Sequence, residues 1–183
     1  MENKILKYFD ELKRTMEWVA QQPRTIFLGQ TVSGPGTFMY STLKDVPADK
    51  TLEMPINESF QMQFTLGLAL AGYVPVSVYP RQNFLLLATG DMSNMIDKMP
   101  AISSRAVSPR IIIRVATGPD TPVHPGHQHV GNFAEAFRKM FAWIEVVELN
   151  EPEEIFPAYR RALERPDARA TLIIEHGNLY NTK

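Results

Sequence analysis

The alternation of strand-like and helix-like segments is the feature that most restricts how this chain can fold. Short segments rich in apolar and β-branched residues predict strands, and the longer apolar or amphipathic segments between them predict helices. We predict strands at residues 25–32, 51–54, 73–79, 110–116, 143–149 and 171–175, and helices at 4–21, 58–71, 84–99, 133–141 and onward from an Asn150 cap. This alternation requires crossover connections, so we expect an α/β fold in three layers: a doubly wound, mainly parallel sheet with helices on both faces.

Composition is that of a single soluble globular domain. No repeat, low-complexity segment or convincing linker divides residues 1–183, so we expect one domain. Hydrophobic residues at 44% exclude a largely disordered chain. The formal charge of −1 argues against a dedicated nucleic-acid binder. The absence of cysteine excludes disulfides and thiolate chemistry.

The sequence carries no targeting signal that we recognise. Its first residues, MENKILKYFDELKR, form a charged amphipathic segment without the apolar core of a signal peptide. The longest apolar stretch, residues 64–78, is interrupted by polar residues, glycines and a proline, and is shorter than the ~20 residues that span a bilayer. We therefore expect a cytoplasmic protein without a membrane anchor.

Glu58 is the first candidate for a functional residue. It follows Met54-Pro55-Ile56-Asn57 and begins a segment that is apolar nearly all round, a pattern that predicts a buried helix. In parallel sheets, ligands bind outside the carboxyl ends of the strands, and Glu58 follows such an end. A buried carboxyl group needs a hydrogen-bonding partner. An exposed acidic residue in a first helical turn is the alternative explanation, since such residues are common there.

The second candidate is the histidine loop, residues 117–132, which contains His124, His127 and His129. Imidazoles clustered in this way bind zinc or transfer protons. The segment lacks the spacing of a structural zinc site and has no helix or hairpin to orient its ligands, so a catalytic histidine is favoured over a metal site. A solvent-exposed polar loop is the plain alternative.

The stretch Pro55–Tyr79 resembles the pyrimidine-binding domain of transketolase-type thiamine-diphosphate enzymes, above all the beta subunits of 2-oxo-acid dehydrogenases. The family pattern runs Pro-Ile-x-Glu, an apolar helix with glycines, and then Gly-x-x-Pro-Val. The residues that match it in register are Pro55, Ile56, Glu58, Gly67, Gly72, Pro75 and Val76. FLGQTV, which contains Gln30, is similar to the family's first strand, Leu-Gly-Glu-Asp-Val, and Gly126-His127-Gln128 resembles its Gly-x-Thr-His-Gln.

The resemblance implies a role for each of these side chains. The matching Glu in the family hydrogen-bonds N1′ of the cofactor's aminopyrimidine and activates that ring, so Glu58 is implied as catalytic and cofactor-binding, and Gln30 as cofactor-binding. His127, or else His129, is implied as a proton shuttle or substrate ligand. The cofactor would be thiamine diphosphate. Its Mg²⁺ and its diphosphate would be bound by another domain, which carries a Gly-Asp-Gly…Asn-Asn motif.

The segment after the strand at 73–79 departs from the family. The beta subunits have a phenylalanine near Arg81 that stacks on the pyrimidine, whereas this chain reads Pro80-Arg81-Gln82-Asn83-Phe84. Phe84 keeps the second aromatic of the family segment, and Tyr79 is a possible replacement for the first. Arg81 is interpreted either as a ligand for an anionic substrate or as a surface residue.

The resemblance also implies that the chain is incomplete alone, because the diphosphate-binding domain and the C-terminal domain of these enzymes are missing. We expect a pyrimidine-binding subunit that acts on a 2-oxo acid or a ketose, by decarboxylation or carbon–carbon bond transfer, only in a heterodimer or heterotetramer with its partner. Two alternatives stay open. One is a catalytically degenerate scaffolding or regulatory subunit. The other is a cofactor-independent hydrolase or metal-dependent enzyme that uses the loop His124–His129.

Overall fold

A computed structural model describes residues 6–181. The strands are β1 (Thr25–Gly29), β2 (Thr51–Glu53), β3 (Val74–Tyr79), β4 (Ile112–Thr117), β5 (Glu145–Leu149) and β6 (Thr171–His176). The helices are α1 (Tyr8–Gln21), α2 (Glu58–Leu70), α3 (Gln82–Leu85), α4 (Thr89–Asp91), α5 (Met99–Ile102), α6 (Ala134–Met140) and α7 (Pro152–Glu164). Short 3₁₀ turns include Phe38–Thr42, Leu86–Ala88, His127–His129 and Gly177–Asn181. Among the described residues, no helix is both long and apolar enough to cross a lipid bilayer.

The six strands form one sheet in the order β2-β1-β3-β4-β6-β5, and every neighbouring pair is parallel. The predicted α/β fold with a mainly parallel sheet is therefore confirmed. Two apolar clusters cover the two faces of the sheet. Side chains of α1 and α7 pack on one face, and those of α2, α6 and the segment 82–102 pack on the other. This arrangement gives the three predicted layers.

A fully buried ion pair joins two central strands. Arg114 of β4 donates from Nε and Nη2 to the carboxylate of Glu175 on β6, at 2.7 and 2.9 Å. The hydroxyls of Tyr159 on α7 and Tyr180 on the last 3₁₀ turn also donate to this carboxylate. Burial and the negative charge of Glu175 raise the pKa of both tyrosines, so they stay protonated donors. Arg114 also reaches Thr42, at 2.8 Å.

Several predicted boundaries were wrong. The first helix begins at Tyr8, and the predicted residues Lys4 and Ile5 lie outside the described part of the chain. The strand predicted at 25–32 ends at Gly29, where the chain turns away from the sheet. The last long helix has Glu151, not Asn150, as its N-cap. The Glu154 carboxylate accepts the backbone N–H groups of both Asn150 and Glu151 at this helix start.

The helix predicted at 84–99 is an interrupted helical segment that runs from Gln82 to Ile102. A π turn at Met92–Ile96 breaks its regular period. Directly after this turn, the buried Asp97 accepts the backbone N–H groups of Ala142, Trp143 and Ile144, at 2.7–3.2 Å. The wide turn therefore places a carboxylate where it fixes the chain entering β5, a tertiary requirement that helical periodicity does not reveal.

We expect Gly29→Ala to lower the free energy of unfolding by about 2 kcal/mol or more. A Cβ at Gly29 would lie 2.4 Å from the carbonyl oxygen of Val78 on β3, and the residue has a φ of +154°. Urea denaturation of the isolated chain measures the effect.

Gly67→Ala is the matched control, because a Cβ there meets nothing within 4 Å. It should leave stability unchanged or raise it by up to about 1 kcal/mol. Equal stability of the two variants would show that the contact between Gly29 and Val78 does not constrain the sheet.

Candidate functional site

The sheet has a crevice between the carboxyl ends of β1 and β3. The chain leaves β1 toward the edge strand β2, but leaves β3 toward β4 in the opposite direction, so the winding reverses between these two neighbours. Ligands of open parallel sheets bind at this topological switch point. Gln30 directly follows β1, and Tyr79 is the last residue of β3.

Glu58 lies at this crevice as the first residue of α2. Asn57 is the N-cap, and its side chain accepts the backbone N–H of Phe60 at 2.9 Å, which fixes where the helix begins. Glu58 is 7% exposed, as expected for a buried helix start. Among the described residues, Gln30 provides the one hydrogen bond to its carboxyl group, a long contact of 3.3 Å from Nε2 to Oε1. The carboxyl group therefore has capacity for a further polar partner.

Tyr79 supports the helix start instead of offering a surface for stacking. Its ring is 1% exposed, and its hydroxyl donates to the backbone carbonyl of Glu58 at 3.2 Å. Burial raises the pKa of Tyr79, so the hydroxyl keeps its proton. The idea that Tyr79 replaces the stacking phenylalanine is corrected by this burial, because no ring face is accessible. The structure does bring Gln30, Glu58 and Tyr79 together.

Arg81 and Phe84 contact the histidine loop. Arg81 donates from Nη1 to the backbone carbonyls of Gly118, at 2.6 Å, and His129, at 3.1 Å. No salt bridge joins it to an acidic side chain in the described part of the chain. The rings of Phe84 and His129 are tilted against each other with centroids 5.4 Å apart. Arg81 is thus half-buried and engaged, which excludes a plain surface role.

The histidine loop presents His127 to solvent on a single 3₁₀ turn. His124 lies beside it, with ring centroids 5.7 Å apart. No hydrogen bond or ring contact between described residues joins His127 to Glu58. Within residues 6–181, no group of three or more potential ligands is arranged to hold a metal ion. The alternative that this loop forms a metal centre therefore has no geometric support.

One side of α2 is exposed and apolar, which corrects the prediction of a wholly buried helix. Glu58, Gln61, Met62, Thr65 and Leu66 face inward. We call the exposed set the α2 face: it consists of Ile56, Phe60, Phe64, Leu86 and Leu87. Leu87 is 67% exposed, and the rings of Phe60 and Phe64 lie 6.0 Å apart. Exposed large apolar side chains that pack together, as these two rings do, are typical of an interaction surface.

Sequence reasoning missed the role of Glu53, the last residue of β2. Its carboxylate accepts the backbone N–H groups of Thr31, Val32 and Ser33, and the Ser33 hydroxyl at 2.8 Å. It thereby fixes the loop that carries Gln30. No local signal announces this role, because the partners are backbone amides about twenty residues away in the chain.

Solved structures assign the class of the fold. A structure described as "Split gene transketolase, inactive beta4 tetramer" aligns with 93% of this chain and 50% of that chain, with a TM-score of 0.68 and 15% identity. The chain therefore has a transketolase-type fold, as the resemblance of Pro55–Tyr79 predicted. No protein-family model matches the chain.

A curated relative provides the likeness in sequence. The pyruvate dehydrogenase E1 component subunit beta of Gracilaria tenuistipitata var. liui is 26% identical over 180 residues, which cover 96% of this chain and 54% of that protein. The predicted resemblance to such beta subunits is confirmed. The chain spans about half the length of both relatives.

We expect the stability of the chain to fall in acid partly through Glu53. Burial alone would raise the pKa of Glu53, but hydrogen bonds from Ser33 and from the amides of Thr31 and Val32 outweigh it and lower the pKa. A carboxyl group with a lowered pKa in the folded state stabilises the fold above its unfolded pKa of about 4.3, and this stabilisation is lost as the pH falls through the folded value.

Unfolding free energies measured from about pH 7 down to about pH 3 test this expectation. Glu53→Gln should be less stable than the unmodified chain near neutral pH, and the difference should shrink as the pH falls. Glu153→Gln removes an exposed carboxylate of α7 and serves as the control. A constant difference between Glu53→Gln and the unmodified chain across this range would contradict the linkage.

Proposed function

We propose that this chain is the pyrimidine-binding subunit of a split thiamine-diphosphate-dependent enzyme. The observation that carries the proposal is the buried Glu58 carboxyl group at the switch point of the sheet, to which one described residue, Gln30, donates a long hydrogen bond. Its position within the Pro55–Tyr79 match and the two similar proteins support the same conclusion. The substrate would be a 2-oxo acid or a ketose.

The residues present fit the pyrimidine end of this cofactor. A buried carboxyl group that lacks a strong partner suits a ring nitrogen such as N1′, where one hydrogen bond would satisfy both groups. When bound, thiamine diphosphate supplies the electron sink for breaking or forming a carbon–carbon bond next to a carbonyl group. The described residues contain no cluster for Mg²⁺. The metal and the diphosphate would therefore be held by the partner's Gly-Asp-Gly…Asn-Asn motif.

Glu58 would hold and move a proton at N1′, while its neighbours fix its position. Gln30 orients the carboxyl group through a hydrogen bond from Nε2 to Oε1. The Tyr79 hydroxyl donates a hydrogen bond to the backbone carbonyl of Glu58 and so fixes the start of the helix. Low local polarity strengthens the hydrogen bond between Glu58 and the ring nitrogen, because little water competes for it. Phe84 is partly exposed at the same edge of the sheet, and its ring would contact the cofactor.

The histidine loop would serve the substrate. His127 is exposed and free to donate or accept a proton at the substrate's carbonyl or carboxyl oxygen. His129 packs against Phe84, and the Arg81 guanidinium adds a positive charge that no acidic side chain within residues 6–181 pairs with in a salt bridge. These features favour an anionic or strongly polar substrate.

The α2 face supports the need for a partner subunit. Because α2 begins with Glu58 and exposes phenylalanines along its outer side, a subunit that covers this face would also enclose the crevice. Enclosure excludes water from the site, as carbanion-type chemistry requires. The assembled enzyme would be a heterodimer or a heterotetramer.

Native purification of the tagged chain from its own cells tests the proposal directly. We expect a co-purifying subunit that carries Gly-Asp-Gly…Asn-Asn, with about one thiamine diphosphate per pair of subunits, as measured by mass spectrometry and thiochrome fluorescence. A chain that purifies with neither the partner nor the cofactor would overturn the split-enzyme proposal and leave the fold assignment standing.

We expect Glu58→Gln to lower the turnover of the assembled enzyme by about 10²- to 10⁴-fold, because the amide cannot exchange a proton with the ring nitrogen. Affinity for the partner measured without the cofactor should not change, since Glu58 is buried. Glu153→Gln is the control and should retain full turnover. Full activity of Glu58→Gln would instead support a scaffolding subunit.

We expect Phe64→Glu to weaken binding of the partner by at least about tenfold, because it places a charge within the apolar contact. Titration calorimetry with the purified partner measures the affinity, and circular dichroism checks that the variant folds. Ile102→Glu alters an exposed isoleucine outside the α2 face and should bind normally. Equal affinities of the two variants would place the partner on another surface.

A further inference from the structure

The residue after Arg81 makes contacts that no role described above requires. Gln82 is 1% exposed, and its side chain uses both of its polar atoms. Its Nε2 donates to Thr117 Oγ1 and, at 3.3 Å, to Asn132 Oδ1. Its Oε1 accepts the backbone N–H of Phe133 at 2.6 Å. Thr117 and Asn132 are the first and last residues of the histidine loop, so one buried side chain joins both of its ends.

The orientation of this amide is fixed by its surroundings. A flipped amide would point its NH₂ group at the N–H of Phe133, so the donor and acceptor ends cannot exchange. Asn132 extends the connection: its Nδ2 donates to Glu148 Oε1 of β5 at 2.7 Å, and its Oδ1 accepts the N–H of Ala134. The base of the loop is therefore tied to the ends of β4 and β5 and to the start of α6.

The loop itself has little internal structure. Two hydrogen bonds join residues within it, from His129 N–H to the Gly126 carbonyl and from Gly126 N–H to His124 Nδ1, and half of its residues are exposed. A segment with so few contacts of its own takes its position from its attachments. Those attachments include Gln82 at both ends of the loop, Arg81 at the carbonyls of Gly118 and His129, and Asn178, whose Oδ1 accepts the backbone N–H of Asp120 at 3.0 Å.

We infer that Gln82 is a positioning residue, which sets where His127 stands relative to Glu58 without touching the reacting atoms. This inference rests on the proposed function for its catalytic consequence, whereas its structural half, that Gln82 holds the loop, does not. An error of about 1 Å in the placing of a reacting group can cost about 10²-fold in rate. The inference also gives Arg81 and Gln82 a shared role, since these consecutive side chains both join the first part of the loop to its last part.

Spin-label distances test the structural half in the isolated chain. The chain contains no cysteine, so Val123→Cys in the loop and Arg160→Cys on α7 give two unique labelling sites. We expect a narrow distance distribution in this labelled chain. Gln82→Met, which keeps the volume and removes the hydrogen bonds, should broaden or shift the distribution. Gln21→Met, an exposed substitution at the end of α1, should leave it unchanged. An unchanged distribution in Gln82→Met would overturn the inference.

Gln82→Glu keeps the inference testable if Gln82→Met does not fold. The carboxylate still accepts the Phe133 N–H and can accept the Thr117 hydroxyl, but it meets Asn132 Oδ1 without a donor, so the contact with the last residue of the loop becomes repulsive. A distribution in Gln82→Glu as narrow as that of the unmodified chain would overturn the inference as well.

Kinetics of the assembled enzyme test the catalytic half. We expect either Gln82 variant to lower kcat by about 10²-fold with KM within about threefold, and to change the pH profile of kcat, because the loop histidine no longer meets the substrate correctly. A broadened distance distribution with unchanged kcat and pH profile would overturn the catalytic half. If the unmodified assembly shows no thiamine-diphosphate-dependent activity, the proposed function fails, and the distance measurements still decide whether Gln82 holds the loop.

Discussion

The buried pair of Arg114 and Glu175 is the interaction on which the rest of the structure depends. Placing two charges in an apolar layer is costly unless the geometry is good and the remaining polar atoms are satisfied. Here the hydroxyls of Tyr159 on α7 and Tyr180 on the last 3₁₀ turn donate to the Glu175 carboxylate. The hydroxyl of Thr42, in the connection between β1 and β2, accepts from Arg114. One pair thus fastens elements that are far apart in sequence onto the middle of the sheet. The carboxyl edge above it is consequently a rigid base for the site.

The sequence predicts the layers of this fold well because they follow from periodicity and from the strand–helix alternation. It predicts Glu58 through a short motif with a fixed spacing. It does not predict Glu53 or Gln82, because their partners are backbone N–H groups about 20 to 50 residues away, and any polar residue type occurs at such places. The sequence also predicts a wholly buried α2, which is wrong. An apolar helix surface has the same residue pattern whether it packs in the core of its own chain or is left exposed for another subunit.

The carboxyl edge of the sheet divides into two parts that are held differently. Around Glu58, the contacts are fixed by the start of a regular helix: Gln30 bonds the carboxyl group, Tyr79 bonds the backbone carbonyl of Glu58, and Asn57 caps the helix. Around His127, the loop has no regular structure and depends on Arg81 and Gln82 of the neighbouring strand end. The proposed chemistry requires the first part to be rigid and the second to admit a substrate.

Helix α2 has a buried side and an exposed apolar side, and this constrains how its sequence can evolve. Its inner residues fill the core, its first residue belongs to the proposed site, and two of its outer residues, Phe60 and Phe64, belong to the α2 face. In an assembled enzyme, more than half of its 13 positions would then be under selection, for three separate reasons. Drift should be slow along this helix and fast in α1 and α7, whose outward sides carry charged residues such as Lys13 and Arg160. Relatives that have lost their partner should be recognisable by polar residues at Phe60 and Phe64 alone.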